Sequence, residues 1–299
     1  MTTEIYTGLI AKTLEYGDVR NKPFRLDDGY NYLADGFDES HVPDLIRILE
    51  DDELADGDLD QPAVWAQTHA WRILGQLRAQ DAIVPLLNLL RYIDERGDDR
   101  VGEEMPGILV QIGIDSLQPA ADFLADTENG AWARVGSARI VEEIGKAYPE
   151  SRPHCVQIAT QQLELFADQD EIINTALIDC LAELKAVEAA PVIERAFAAG
   201  KVDLSLRGDW EDVQVDMGLL DARITPKRNY IAEALFGGGR LEDSWLDGED
   251  EDEDEDEPGS PGLLTFGLES PVGVDPKKKK RKRKDAQKQR KAQRRKKKK

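Results

Sequence analysis

Five prolines set the frame of this chain. Pro43, Pro85, Pro119, Pro153 and Pro191 recur at intervals of 42, 34, 34 and 38 residues. Four of them open, or lie within the first turn of, an apolar-periodic segment: Val42–Leu49, Ile83–Ile93, Leu117–Leu124, Val156–Phe166 and Ala189–Phe197 are the five segments concerned. Proline is tolerated there because the first helical N–H groups have no acceptor within the helix. A second set of segments precedes four of these. Ala66, Ala70, Ile73, Leu74 and Leu77 fall on one face at helical spacing. Met105, Ile108, Leu109 and Ile112 do the same, as do Ala133, Ser137, Ile140, Val141 and Ile144, and Ile173, Leu177, Cys180, Leu181 and Leu184. Leu74-Gly75, Ile112-Gly113 and Ile144-Gly145 end three of them with a small residue, which permits close helix approach or a turn.

Two helices in every ~35–40 residues, each apolar on one side, cannot bury that side alone. Stacked neighbours share one continuous core, which is the logic of an α-solenoid. Residues 40–200 show no period-two alternation, so a sheet is not expected. The expectation is an all-α fold: an α-solenoid of about five HEAT-like helix pairs, with an irregular C-terminal cap and a disordered acidic/basic tail. The parts are residues 1–40 (N-terminal cap), 41–200 (repeats), 201–246 (C-terminal cap), 247–276 (acidic linker) and 277–299 (basic tail). Within the caps, residues 4–16 read as one amphipathic helix, residues 28–38 as a degenerate first helix, and 201–230 as largely irregular.

The stretch from Trp71-Arg-Ile-Leu-Gly-Gln-Leu to Ala82-Ile-Val-Pro-Leu-Leu-Asn-Leu-Leu90 resembles a HEAT-like repeat of the phycobilisome-lyase type. There a helix ending Leu-Gly-x-Leu is followed by a short turn, Ala-Val/Ile-x-Pro-Leu and a leucine-rich helix. The resemblance covers roughly 40–200 and departs at Ile114-Asp115-Ser116 and at Ala147-Tyr148-Pro149-Glu150. It implies the solenoid fold and is nearly silent about function. One activity it implies is that of a chromophore lyase or lyase accessory, with the concave face holding a bilin and its protein. Some HEAT-repeat enzymes hold iron through His-Glu pairs, and this chain has no His-Glu dipeptide.

Charge divides the chain into three regions. Residues 1–240 carry 45 acidic and 22 basic side chains, residues 241–276 carry 14 acidic and none basic, and residues 277–299 carry 17 basic and one Asp. Like charges at such density repel and leave nothing apolar to bury, so the linker and the tail are expected to be extended. Leu263-Leu264-Thr265-Phe266-Gly267-Leu268 reads as a weakly ordered connector between them. The tail, through Lys277, Lys278, Lys279, Lys280, Arg281, Lys282, Arg283, Lys284, Arg294 and Arg295, is the candidate nucleic-acid contact. Such a segment attracts polyphosphate by counterion release, without sequence selectivity. The acidic body favours a basic protein partner instead. The tail is expected to fold back on the acidic linker or body until a polyanion competes it away.

Few residues suggest catalysis. The histidines are His41, His69 and His154, and the cysteines Cys155 and Cys180. His154-Cys155 has no second ligand pair at usable spacing, so no metal or other cofactor is expected. There is no phosphate loop and no nucleophile elbow. Glu103-Glu104 and Glu142-Glu143 read as solvated helix faces. Trp65, Trp71 and Trp132 read as packing residues. Trp210, inside Gly-Asp-Trp-Glu-Asp, is the candidate partner contact. Two cysteines in 299 residues argue against a disulfide-stapled secreted domain. The start lacks a basic-then-apolar stretch, and no window approaches ~18 apolar residues. A cytoplasmic, non-enzymatic monomer binding a protein and RNA, DNA or the ribosome is the expectation; the alternatives are the lyase-like protein above and a structural protein with a solubilising tail, and for the tail itself an anionic membrane surface or its own acidic linker.

Overall fold

The computed structural model describes residues 6–19, 24, 29–55, 61–228 and 230. The chain divides into two units, residues 1–240 and 241–299. The second unit, with Leu263–Leu268, the acidic linker and the basic tail, lies outside the described residues.

In the first unit all regular structure among the described residues is helical. The α-helices are α1 (Gly8–Ala11), α2 (Val42–Leu49), α3 (Asp52–Ala55), α4 (Ala66–Gln76), α5 (Ile83–Leu89), α6 (Arg91–Arg96), α7 (Asp99–Ile112), α8 (Leu117–Ala125), α9 (Ala131–Ala147), α10 (Arg152–Leu163), α11 (Glu171–Glu183), α12 (Ala190–Ala198), α13 (Leu204–Arg207) and α14 (Trp210–Asp216). They pack in two rows. One row runs α4, α7, α9, α11, each against the next; the other runs α2, α5, α8, α10, α12. The rows join where α2 lies on α4, α5 on α7, α8 on α9 and α10 on α11. Ile73, Leu74, Met105, Ile108, Leu109, Ile140, Val141, Leu177 and Leu181 are fully buried between them. These are residues of the periodic stripes, so apolar burial at helical spacing is what orders the rows.

A single 3-10 turn opens the second helix of each pair: Gln80–Ala82, Ile114–Ser116, Pro149–Ser151 and Val187–Ala189. Each turn exposes one carboxylate, Asp81, Asp115, Glu150 and Glu188, and then buries a small residue, Ala82, Ser116, Ser151 and Ala189. Where that residue is serine, its hydroxyl reaches back to a helix-end carbonyl: Ser116 Oγ donates to Leu109 at 2.9 Å, and Ser151 Oγ to Tyr148 at 2.7 Å.

Helix ends differ from the glycine pattern in one respect. Gly75 and Gly145 lie inside α4 and α9, not after them. They permit close approach: a Cβ on Gly145 would stand 2.8 Å from Leu184 Cδ2, and one on Gly75 would stand 3.2 Å from Ile108 Cδ1. The left-handed closing positions are taken by Arg78 (φ 52°) and Lys185 (φ 51°). Ala79 N–H bonds to Leu74 carbonyl and Ala186 N–H to Leu181 carbonyl, closing α4 and α11 in the Schellman manner.

The caps depart from expectation. Residues 8–14 form α1 and a 3-10 turn, Lys12–Leu14, and not one amphipathic helix. Residues 32–35 form a 3-10 turn that Gly36 ends at φ 105°. These segments lie on α4, and Ile10, Leu14, Tyr32 and Phe37 are buried. As a result every residue of α4 from Ala66 to Gly75 is buried. At the other end, the region read as irregular contains α13 and α14. Their start signals are Asp203, which accepts from Ser205 N–H at 2.9 Å, and the Asp209/Asp212 capping box.

Candidate functional site

Trp210 begins α14. Asp209 accepts from Asp212 N–H at 3.1 Å, and the Asp212 carboxylate accepts from Asp209 N–H at 3.2 Å. Val213 and Met217 are buried and seat the helix, and the Trp210 ring stands on Phe197 with centroids 6.0 Å apart. The indole is partly sheltered, with its flanking acids on the surface beside it.

Those acids hold the chain that follows. Arg223 Nη1 lies 2.7 Å from Asp209 Oδ1 and 2.6 Å from Asp212 Oδ1; Nη2 lies 2.9 Å from Asp209 Oδ2 and 3.2 Å from Glu211 Oε2. Glu211 also accepts from the N–H groups of Ile224 and Thr225, both at 3.0 Å, and from the Thr225 hydroxyl. Tyr230 donates its hydroxyl to Asp209 at 2.7 Å. The Arg223 guanidinium holds the Asp209 carboxyl well below the usual carboxylate range, and Tyr230 adds to this. The Thr225 hydroxyl and backbone lower Glu211. Sequence reading singled out Trp210 for its charged flanks. It missed that an arginine thirteen residues on pairs with them, because no local pattern specifies that return.

A second charged group spans α9, α11, α13 and α14. Arg207 Nε stands 2.7 Å from Asp179 Oδ1, and its Nη2 donates to Asp216 at 2.8 Å. Lys146 reaches Glu142 at 3.1 Å, Glu143 at 2.9 Å and Glu183 at 3.8 Å. Partial desolvation pushes the Asp179 carboxyl up to about 6, with Arg207 opposing and Glu142, Glu183 and Asp216 adding to the rise, while its side chain stays 47% exposed. Burial raises Glu142 too. With its side chain 12% exposed, Glu142 is sheltered and not a solvated residue. Nor is Glu104, which is buried and accepts from Arg72 and Trp71. Glu103 is exposed, as expected.

The third group ties the N-terminal segment to α4. Asp35 accepts from Lys12 at 2.7 Å, Tyr16 at 2.6 Å and Tyr30 at 2.9 Å, and these donors, Lys12 foremost, lower its carboxyl to about 2. His69 is fully buried; its Nε2 lies 2.8 Å from Gly17 carbonyl and its Nδ1 2.6 Å from Tyr32 hydroxyl. A carbonyl only accepts, so Nε2 carries a proton and donates it to the Gly17 carbonyl. The partners are 37 and 52 residues apart, beyond any motif.

The remaining candidates separate. His41 stands before α2, with its ring bonded to Asp38. His154 is exposed while the neighbouring Cys155 is buried. Cys155 and Cys180 are free thiols raised by burial. Among the described residues no cluster of His, Cys, Asp or Glu is arranged to hold a metal ion. Trp65 and Trp71 are buried as expected, whereas Trp132 is 40% exposed. Among the described residues no helix is long and apolar enough to cross a membrane. Lys277–Lys284, Arg294 and Arg295 lie outside the described residues. Comparison with protein-family models, with curated proteins and with solved structures yields no match.

Proposed function

We propose that this chain is a non-enzymatic scaffold: a HEAT-like α-solenoid that binds a protein partner through its helical body, with a polybasic tail that adds electrostatic affinity for RNA, DNA or a ribonucleoprotein. The observation that carries the reading is the segregation of charge, 17 basic residues in the last 23 against a body with 45 acidic and 22 basic residues. The two rows of helices support it, because such stacks present long surfaces of repeated design. The acid exposed at each inter-helix turn supports a basic protein partner over a nucleic acid at the body itself.

The test is capture from host lysate with the full chain and a 1–276 truncation, each with and without nuclease. Retention of RNA or nucleoid material by the full chain only, weakening steeply from ~50 to ~200 mM salt, is the expected result. Equal retention by both chains removes the tail from the account. Recovery of one protein by both chains, indifferent to nuclease, assigns the interaction to the helical body.

A further inference from the structure

The chain contains one Asn-Gly pair, Asn129-Gly130, and it stands in the turn between α8 and α9. Asparagine followed by glycine is chemically labile in neutral water, because glycine leaves its nitrogen sterically open to the neighbouring amide carbon. Two local constraints nevertheless select this pair. Position 130 has no room for a Cβ, since the Asp94 carboxylate that caps α9 fills that space. Position 129 is 5% exposed and needs a side chain that both donates and accepts. Asn129 Nδ2 donates to the Phe123 carbonyl at 2.9 Å, and its Oδ1 accepts from Arg91 Nε at 2.8 Å. A carboxylate there would only accept. Arg91 is itself held, with Nη1 on Asn88 at 2.9 Å and its guanidinium 5.4 Å from the centre of the Phe123 ring. The Gly130 N–H, by contrast, has no hydrogen-bond partner among the described residues.

We propose that Asn129-Gly130 is a self-modification site, latched by Arg91 and the Phe123 carbonyl, that converts to aspartate and isoaspartate when the latch opens. In the open turn the Gly130 nitrogen attacks Asn129 Cγ and gives up its proton. The Cγ–Nδ2 bond breaks, ammonia leaves, and a succinimide ring closes. Water then adds to one of the two ring carbonyls and breaks its bond to the ring nitrogen. Cleavage at Cγ gives aspartate, and cleavage at the main-chain carbonyl carbon gives isoaspartate. The sum is amide plus water to carboxylate plus ammonium, and water is the only co-reactant. Neither product restores the latch. An aspartate keeps Arg91, now as a charge-assisted contact, but sets a carboxylate against the Phe123 carbonyl. An isoaspartate adds a methylene to the main chain just before Gly130, two residues ahead of the N–H groups that Asp94 caps. The reaction runs one way. The turn therefore accumulates a record of its own openings, written at a joint between successive helix pairs.

The experiment incubates the full chain and a free peptide of residues 124–134 side by side in mildly alkaline buffer at physiological temperature. Peptide mapping locates the mass gain of about 1 Da at position 129, and labelling by an isoaspartate-specific carboxyl methyltransferase counts the isoaspartate there. Where opening and closing are fast, the rate follows the open fraction, so the wild type is expected to react about tenfold or more slowly than the peptide. Arg91→Met removes the latch donor and is expected to react about tenfold faster than the wild type. Ile178→Val, a buried substitution in α11, lowers stability without touching the latch, and its rate at position 129 is expected to match the wild type. A wild type as fast as the peptide overturns the proposal. So does an Arg91→Met rate equal to that of the wild type, or an equal acceleration by Ile178→Val, which would assign the effect to general loosening. A thermal melt reports whether Arg91→Met is folded. If it is not, Arg91→Lys decides, since it keeps a cation near Phe123 and lacks the Nε–H donor: acceleration supports the latch, and none overturns it.

Discussion

Arg72 and Glu104 face each other across the interface of α4 and α7 with both side chains almost out of water, at 6% and 8% exposure. Arg72 Nε lies 2.8 Å from Oε2 and Nη2 2.5 Å from Oε1, and Trp71 Nε1 donates to Oε2 at 2.8 Å. One carboxylate thus satisfies three donors from the neighbouring helix. Removing one partner of such a pair strands a buried charge, whereas replacing both with apolar groups does not. Glu104→Gln is expected to destabilise the body by about 3 kcal/mol, and Arg72→Met with Glu104→Leu to recover most of that loss. Urea unfolding of the two variants checks it; equal losses would contradict it.

Asp94 of α6 caps a helix to which it does not belong. Its carboxylate accepts from Trp132 N–H at 3.1 Å and Ala133 N–H at 2.8 Å, at the start of α9. Gly130 leaves the room: a Cβ there would overlap the Asp94 carboxylate. Asp94→Ala is expected to cost about 1 kcal/mol, as loss of a helix cap does. Gly130→Ala should cost a similar amount by displacing the same carboxylate, and the double variant should cost less than the two together. A thermodynamic cycle on the melting of the four proteins measures that coupling.

Arg78 and Lys185 hold left-handed backbone where glycine is the usual occupant. An L-residue pays about 1 kcal/mol for that conformation. Arg78→Gly is expected to raise the thermal midpoint. Lys185→Gly should raise it less, because Lys185 Nζ also donates to the Asp216 carbonyl at 2.6 Å. A fall in midpoint for Arg78→Gly would show that its side chain contributes more than its backbone costs.

Asp179 ionises reluctantly in the fold, with its carboxyl raised to about 6 by partial desolvation and by Glu142, Glu183 and Asp216. A raised acid binds more protons folded than unfolded, so its contribution to stability falls as pH rises from about 4 to about 6. Asp179→Asn is expected to flatten stability across that window and to leave the neutral-pH protein no less stable. Asp209 and Glu211 have the opposite sign: lowered in the fold, they stabilise above the ordinary carboxylate range and lose that contribution as pH falls through and below it. Urea midpoints between pH 4 and 8 for wild type and variant check the first claim.

The helical rows were legible because burial repeats. Stripes such as Ile73/Leu74 and Leu177/Leu181 follow helical spacing, and they are the residues that became the core. Pro43, Pro153 and Pro191 lie in first turns as their chemistry requires. The polar structure was not legible in the same way. Glu103 and Glu104 are adjacent and chemically alike, and only the crossing of α4 over α7 decides that Glu104 meets Arg72 while Glu103 stays in water. Glu142 was misread for the same reason. His69 was placed on its helix correctly, but its partners Gly17 and Tyr32 are brought to it by a segment without periodicity. Trp210 was chosen for its charged neighbours; that Arg223 already holds those neighbours is a matter of chain path.

α4 has water on no side, since ten successive residues from Ala66 to Gly75 are enclosed by the second row, by α7 and by the N-terminal segment. Helices α7, α9 and α11 each keep an outer residue exposed, such as Glu103, Arg139 and Glu183. Those three can absorb a drifting sequence, a fluorescent label or a modification on that side, and α4 cannot. Substitutions will therefore accumulate unevenly along the chain, with the stretch after Trp65 the slowest to change. The same enclosure means that a deletion of the first forty residues does not merely shorten the protein: it uncovers the side of α4 that carries His69, Arg72 and Gln76 and takes the Gly17 and Tyr32 hydrogen-bond partners from His69, so the product should be less stable and not only smaller.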